Sequence, residues 1–183
     1  MIMRRTLPPR PVKLFVGMLS SDAALFEACK DLLHEKYGPV DCQSEIVPWD
    51  FTDHYSAEMG PGLLRRFIFF ERLADPGELA GMKTLTNRIE ERMAVTADKG
   101  VLRRINLDPG YITEAKVVLA TTKDYSHRIH IGGNIFAEIA LVQKGGRFTP
   151  LAHTYPDYRT DEYVRMFSKA RELLRESLRE KGL

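Results

Sequence analysis

The segment ATTKDYSHRIHIGG, residues 120–133, holds the densest group of side chains that could do chemistry. His127 is its central candidate, because an imidazole titrates near neutral pH and can accept or donate a proton. The alternative is a core-edge histidine that is hydrogen-bonded to the backbone. Asp108, in NLDPGY, is the carboxylate that we pair with His127 as a second acid–base residue. A local turn bond before Pro109 is the simpler role for Asp108.

A second set of side chains near this segment could bind an anion. Hydroxyl groups donate to phosphate oxygens, lysine supplies a point charge, and a guanidinium group binds carboxylate or phosphate through two hydrogen bonds. Alternatively, the charged side chains are solvated parts of linkers, and the tyrosines pack on the sheet. On these grounds the predicted ligand-binding residues are Thr121, Thr122, Lys123, Tyr155 and Arg159.

The segment DFTDHYSAEMG adds three further candidates, Asp53, His54 and Glu58. If Thr52 begins a helical turn, His54 and Glu58 lie on one side of it, four residues apart. Metal binding needs several convergent carboxylate and imidazole ligands, and this turn offers too few. We therefore predict a ligand-binding loop without a metal, with a surface turn as the alternative. The sequence names no cofactor.

The strands SHRIHI and IFAEIALV flank Gly132-Gly133-Asn134 and predict a hairpin. We expect the isoleucines to share a buried face. Arg128 would then form a cross-strand ion pair that contributes about 1 kcal/mol or less. This register places the following pairs opposite each other: Ile131 and Ile135, Ile129 and Ala137, Arg128 and Glu138, with His130 beside Phe136 at the surface.

These candidates must be positioned by alternating strands and helices. Apolar, β-rich runs predict strands at 12–19, 44–49, 65–73 and 102–112, the last one running into a turn at 108–110. Helical spacing and capping signals predict helices at 20–38, 75–94 and 160–182.

Segment 113–123 is ambiguous. Val117 and Val118 favour a strand, whereas Thr113 as a cap and the spacing of Ala115, Val118 and Leu119 favour a helix. We predict a short helix here.

The predicted order is β-α-β-β-α-β, then a helix, a three-stranded meander and a terminal helix. The class is α+β, with a ferredoxin-like βαββαβ core that is extended by the C-terminal β-meander and the terminal helix. We expect a flexible N-terminal arm over 1–11 and a single domain over 12–183.

Composition narrows the classes of partner and location. The 183 residues are 44% hydrophobic and 28% charged, and the net charge of only +2 argues against a nucleic acid as a partner. No apolar run approaches the roughly 20 residues of a membrane helix, and the N-terminus has no secretory signal. The sequence has two cysteines and no second pair that could build a disulfide scaffold, which fits a reducing compartment. We therefore predict a cytoplasmic protein without a membrane partner.

The best-known catalytic and nucleotide-binding motifs do not occur. The patterns GxxxxGK[ST], GxSxG, HExxH and GxGxxG are absent from the sequence. The string RRFIFF is similar to the aromatic strand of an RNA-recognition module, in which rings stack on bases. Core packing with ion pairs explains the same residues without RNA.

Several long strings together carry a family resemblance: VKLFVGMLSSD, FTDHYSAEMG, RRFIFFERLADPGELAGMKTLTN, INLDPGYIT, KVVLATTKDYSHRIHIG and TYPDYR. Over about residues 12–175 the chain resembles a bacterial family known as domain of unknown function 4416. The resemblance implies that the chain is related to this family and has the size of its members. Some members of that family carry a GTP-binding label, and the resemblance assigns no catalytic residue.

Our leading hypothesis is a cytoplasmic protein that binds a small anionic metabolite or nucleotide, with hydrolase or transferase chemistry left open. The pocket would lie where segment 50–60, Asp108, segment 121–128 and segment 153–159 meet. The alternative is a non-catalytic, ferredoxin-like regulatory module that forms a homodimer, or an RNA-binding protein.

Overall fold

The computed structural model describes residues 7–52, 55–97 and 100–183. Most of the predicted N-terminal arm, 1–6, lies outside the described residues. The helices are α1 (Ala24–Tyr37), α2 (Ser56–Met59), α3 (Leu79–Met93) and α4 (Asp161–Glu180). The strands are β1 (Val12–Ser20), β2 (Val40–Gln43), β3 (Val47–Pro48), β4 (Leu64–Ala74), β5 (Val95–Ala97), β6 (Gly100–Leu102), β7 (Asn106–Ile112), β8 (Lys116–Thr121), β9 (Ile129–Gly132), β10 (Ile135–Lys144) and β11 (Arg147–Pro150).

A large antiparallel sheet organises the chain. Its strand order is β11-β10-β8-β7-β1-β4-β2, with β3 paired to β4 and β9 paired to β10. Strands β5 and β6 form a separate hairpin. All nine residues of β1 are buried, as its continuous apolar sequence predicts. The structure confirms a mixed α and β class.

The two faces of the sheet pack against different helices. Val16 and its even-numbered neighbours on β1 pack against α1 and α3. Phe15 points to the other face, where its ring lies 5.0 Å from that of Phe167 on α4. Successive strand residues point to opposite faces, so β1 contributes to both cores. The result is a three-layer arrangement with the sheet in the middle.

The helix boundaries follow local capping chemistry. The Asp75 side chain accepts from the backbone N–H of Gly77, and Glu78 accepts from the N–H of Asp75. This capping box begins a 3-10 turn that leads into α3, as the sequence predicts. Thr160 caps α4 by accepting from the N–H of Tyr163. The predicted helices at 75–94 and 160–182 are therefore confirmed within a few residues at each end.

The predicted helix at 113–123 is wrong, because this segment contains strand β8. Strand β8 lies between β7 and β10, and residues 117–120 are all buried. Thr113 does not cap a helix. Its hydroxyl accepts from the N–H groups of Ala115 and Lys116 and so closes the turn between β7 and β8. Pairing on both edges stabilises the strand and outweighs the weak helical spacing.

The predicted turn at 108–110 is also wrong. Strand β7 runs straight through Asp108, Pro109 and Gly110 while it pairs with β1. A Cβ atom on Gly110 would lie 2.3 Å from the carbonyl oxygen of Val118 and 2.4 Å from Cζ of Phe15. Gly110 is therefore required by close packing inside the sheet and not by a turn.

Two further observations concern location. Within the described part of the chain, no helix has both the length and the apolar character needed to cross a membrane. Cys29 and Cys42 are both buried, and both are free thiols.

Candidate functional site

A cavity of about 420 Å³ opens on the face of the sheet that carries α4. Residues from all four predicted segments line it, together with strands β4 and β10. Its wall is largely aromatic, and its floor carries charged groups. The aromatic lining residues are Trp49, Phe51, Tyr55, Tyr155 and Tyr158; the charged ones are Arg65, Asp108, Lys123, Glu138 and Asp157; the others are Thr52, Leu119, Ala120, Thr121 and Pro156.

The guanidinium group of Arg65 forms the centre of the floor. Its Nη1 donates to Asp108 Oδ2 at 3.1 Å, and its Nη2 donates to Asp157 Oδ2 at 3.0 Å. Trp49 Nε1 also donates to Asp157 Oδ2, at 3.1 Å. Arg65 lies beside Gly17 of β1, where a Cβ atom would be 3.5 Å from Arg65 Nη1 and 2.9 Å from the Phe67 ring. One buried cation is thus shared by two carboxylates.

Asp108 stays ionised on this floor. Burial is the largest influence on its pKa and raises it, but the positive charges of Arg65 and Lys83 and a hydrogen bond from Asn106 outweigh burial. The pKa of Asp108 therefore lies below its ordinary value. The Asp108 side chain is 29% exposed. An ionised carboxylate is accordingly available at the cavity floor.

Glu138 is the most deeply buried charge at the cavity, with its side chain 1% exposed. Its Oε2 accepts from Arg128 Nε at 2.7 Å and lies 3.1 Å from His127 Nε2. Its Oε1 is buried and has no hydrogen-bond partner among the described residues. Arg128 also donates to the hydroxyl oxygen of Tyr155 at 2.7 Å. Glu138, which lines the cavity, therefore has one buried acceptor oxygen without a partner among the described residues.

The β9–β10 hairpin corrects part of the predicted register. Ile129 pairs with Ala137, and the ring of His130 lies beside that of Phe136, as predicted. Ile135 pairs with Gly132 and not with Ile131, because a bulge follows Ile135. The exposed fraction of Ile129 is 73%, so the expected burial of the isoleucines fails there.

The Arg128–Glu138 contact is as predicted. The Arg128 side chain is 8% exposed and that of Glu138 is 1% exposed, so the ion pair is buried. Strand β8 pairs along one edge of β10, and Tyr155 covers the pair from the linker before α4.

The structure does not pair His127 with Asp108. His127 Nε2 faces Glu138, and its ring stacks on that of His153, with centroids 4.2 Å apart. His153 Nε2 donates to the carbonyl oxygen of Ile139 at 3.0 Å. Among the described residues, His127 does not line the cavity. Its observed contacts hold Glu138 in place.

The other predicted site residues divide into two groups. Thr121, Lys123 and Tyr155 line the cavity, but Thr122 and Arg159 are not among the described lining residues. Arg159 donates to the carbonyl oxygens of Thr154 and Ala152, each at 2.8 Å. It therefore braces the turn before α4.

Of the candidates in segment 50–60, the structure locates one. Glu58 forms an ion pair with Arg103 and lines a separate, smaller cavity of about 280 Å³. Asp53 and His54 lie outside the described residues. The part of segment 50–60 that reaches the cavity is Phe51, Thr52 and Tyr55.

Sequence reasoning missed Arg65, Glu138, Asp157 and Trp49 as site residues. Arg65 lies in a strand that also carries Arg66, Glu71 and Arg72, so it does not stand out in the sequence. One signal was available for Glu138, which is a charged residue inside the apolar string IFAEIALV. Such residues are buried with partners, and buried ionisable groups concentrate at functional sites. Nothing in the sequence indicates that strands β4 and β10 contribute to one cavity.

The described residues contain no cluster of three or more His, Cys, Asp or Glu side chains arranged to hold a metal ion. No match was found among curated proteins or among solved structures. A family model described as "Domain of unknown function (DUF4416)" matches residues 10–174, which is most of the chain. The chain therefore belongs to the DUF4416 family.

Proposed function

We propose that the protein binds a small metabolite in the aromatic cavity, with an anionic group of that metabolite at the rim. The observation that carries this proposal is the cavity itself, which combines aromatic walls with buried charged groups. Its volume of about 420 Å³ falls in the usual range for ligand sites. Aromatic walls favour a planar or apolar body on the ligand.

The rim of the cavity supports the anionic part of the proposal. Lys123 is exposed two residues after the end of β8, and its backbone N–H donates to the hydroxyl oxygen of the cavity-lining Thr121. An ammonium group and a hydroxyl group can bind a phosphate or carboxylate together. A nucleotide is one class of metabolite with this combination of ring and anion.

Binding is the part of the leading hypothesis that the geometry supports. Catalysis by His127 with Asp108 does not belong to the proposal, because these two side chains have different partners. Anion binding by Arg159 is also not part of the proposal, since its guanidinium group donates hydrogen bonds to backbone carbonyl groups.

We also propose that β1, α1, β2, β4, α3 and β7 form a ferredoxin-like unit. Helix α1 joins β1 to β2 with β4 between them, and α3 joins β4 to β7 with β1 between them. Both helices pack on the same face of the sheet. This interleaving of two βαβ units supports the assignment. A cytoplasmic location is likewise a proposal, and the two free cysteines support it.

A thermal-shift screen tests the binding proposal. Nucleotides, sugar phosphates and aromatic amino acids are added one at a time, and the melting temperature is measured. A compound at a hundred times its dissociation constant stabilises the protein by about 2.7 kcal/mol, which the screen detects. Binding of phosphate-bearing compounds should weaken in Lys123→Ala.

A blocked cavity is the matched control. Thr121→Trp places an indole ring at the cavity, whereas Thr149→Trp makes the same change on half-buried β11, outside the cavity lining. Shifts should disappear in the first variant and persist in the second. A panel without any shift, or shifts that survive Thr121→Trp, would overturn the proposal.

A further inference from the structure

We infer that the end of the ligand that enters the cavity is a positively charged nitrogen group, such as a protonated amine or an amidine, and that Glu138 binds it. This inference rests on the proposed function and deepens it, because it names the chemistry of the buried end of the ligand. It departs from the expectation of a purely anionic ligand. Three independent observations carry it.

The first observation is the unused acceptor on Glu138. Both donors that hold this carboxylate, Arg128 and His127, bind Oε2. Oε1 is buried and has no hydrogen-bond partner in the described residues, and Glu138 lines the cavity. A buried carboxylate oxygen without a partner is costly, and a nitrogen with an N–H bond would satisfy it. Carboxylates accept and never donate when ionised, so the ligand group must be a donor.

The second observation is the charge of the floor. Arg65 bridges Asp108 and Asp157, so this group of three side chains carries one net negative charge. Lys83 also acts on Asp108, but it is itself paired with Glu90. The pKa of Asp108 lies below its ordinary value, which keeps that charge at neutral pH. A cation entering the cavity would be attracted to this group. A phosphate or carboxylate would be repelled by the same group.

The third observation is the aromatic wall. The rings of Trp49 and Tyr55 contact each other with centroids 5.7 Å apart, and both line the cavity, where Trp49 also donates to Asp157. Aromatic faces attract a cation, most strongly where water is excluded. Tyr155 and Tyr158 extend this wall. The same rings would hold the apolar body of the ligand.

Together these features orient the ligand. The positive nitrogen group lies at the floor against Glu138, and the anionic group stays at the rim with Lys123. The cavity would therefore discriminate against a ligand that carries only an anionic group. A metabolite with separated positive and negative groups satisfies both ends.

Matched indole probes test the inference. Tryptamine, indole-3-propionate and 3-ethylindole share one ring system and differ in the charge of a short side chain. Each is titrated at neutral pH up to millimolar concentration, and binding is measured by ligand-observed saturation-transfer NMR. We expect tryptamine to bind at least about tenfold more tightly than the other two probes. Glu138→Gln should remove that preference.

The design remains decisive if Glu138→Gln does not fold, which circular dichroism would reveal. In that case the comparison among the three probes is made with the unsubstituted protein and with Thr121→Trp as the blocked control. The inference is overturned if tryptamine fails to bind, shows no preference over the other probes, or binds equally well to folded Glu138→Gln. Should phosphate-bearing compounds bind while tryptamine does not, the inference falls and the proposed function stands. If neither class binds, both fall.

Discussion

Arg128 and Glu138 form an ion pair that is almost closed to solvent. The distance from Arg128 Nε to Glu138 Oε2 is 2.7 Å, and the side chains are 8% and 1% exposed. Arg128 also reaches the hydroxyl of Tyr155 and the carbonyl oxygen of Lys123. The pair therefore ties β10 to two segments that contribute to the cavity.

Arg128→Ala should destabilise the protein by about 3 kcal/mol, because Glu138 would remain buried without its charged partner. Urea unfolding at neutral pH measures the change. Arg147→Ala is the matched control, since its ion pair with Asp161 is exposed. That control should change the free energy of unfolding by less than about 1 kcal/mol. Equal losses in the two variants would contradict the importance of burial.

Asp108 should make stability depend on pH in the acid range. Its pKa is lower in the folded state than in the unfolded state, so the unfolded chain binds the proton first. The stabilisation is present above the ordinary aspartate pKa of about 3.9 and is lost as pH falls through the folded-state value. Asp108→Asn should flatten the decline of unfolding free energy below about pH 4. Urea titrations at several acidic pH values check this, and an unchanged slope would contradict it.

Gly110→Ala should cost about 3 kcal/mol, because the new methyl group would overlap the Val118 carbonyl oxygen and the Phe15 ring. Gly81→Ala is a control with the opposite sign. Gly81 lies in α3, and a Cβ atom added there would meet no atom within 4 Å, so alanine should stabilise the helix by about 0.5–1 kcal/mol. Thermal and urea unfolding measure both variants. A neutral Gly110→Ala would show that the sheet can relax there.

Tyr158→Phe should leave stability unchanged or raise it by up to about 1 kcal/mol. The Tyr158 hydroxyl is buried and has no hydrogen-bond partner among the described residues. Phenylalanine keeps the ring contacts with Phe67 and Phe167. Differential scanning calorimetry without added ligand is the measurement. A clear loss of stability would mean that the hydroxyl is satisfied in solution.

Cys29 should resist thiol reagents in the folded protein. Burial, with a smaller effect from the negative charge of Glu90, raises its pKa to about 12. Roughly one such thiol in ten thousand is ionised at pH 8, and only the thiolate reacts. Cys42 is 8% exposed, and burial also raises its pKa. Dithionitrobenzoate followed by peptide mass spectrometry should label Cys42 first, and equal rates would contradict the prediction.

Local signals predicted the helices well, because capping and helical spacing act between neighbouring residues. Asp75 with Glu78 marks the start of the turn that leads into α3, and Thr160 marks the start of α4. The prediction failed where distant strands decide the outcome. Segment 113–123 has helical spacing, yet β7 and β10 pair with both of its edges. Asp108-Pro109-Gly110 has turn chemistry, yet the packing of Phe15 against Gly110 keeps it extended.

By itself, the sequence determined the class of fold, the periodic elements and the four segments that contribute to the cavity, because residue type and spacing act locally. Only the tertiary structure decided which groups on those segments meet. It paired His127 with Glu138 in place of Asp108, and it placed Arg65 between Asp108 and Asp157. The physical reason is that electrostatic and hydrogen-bonding partners are chosen by distance in space, and the sheet brings together residues that are far apart along the chain.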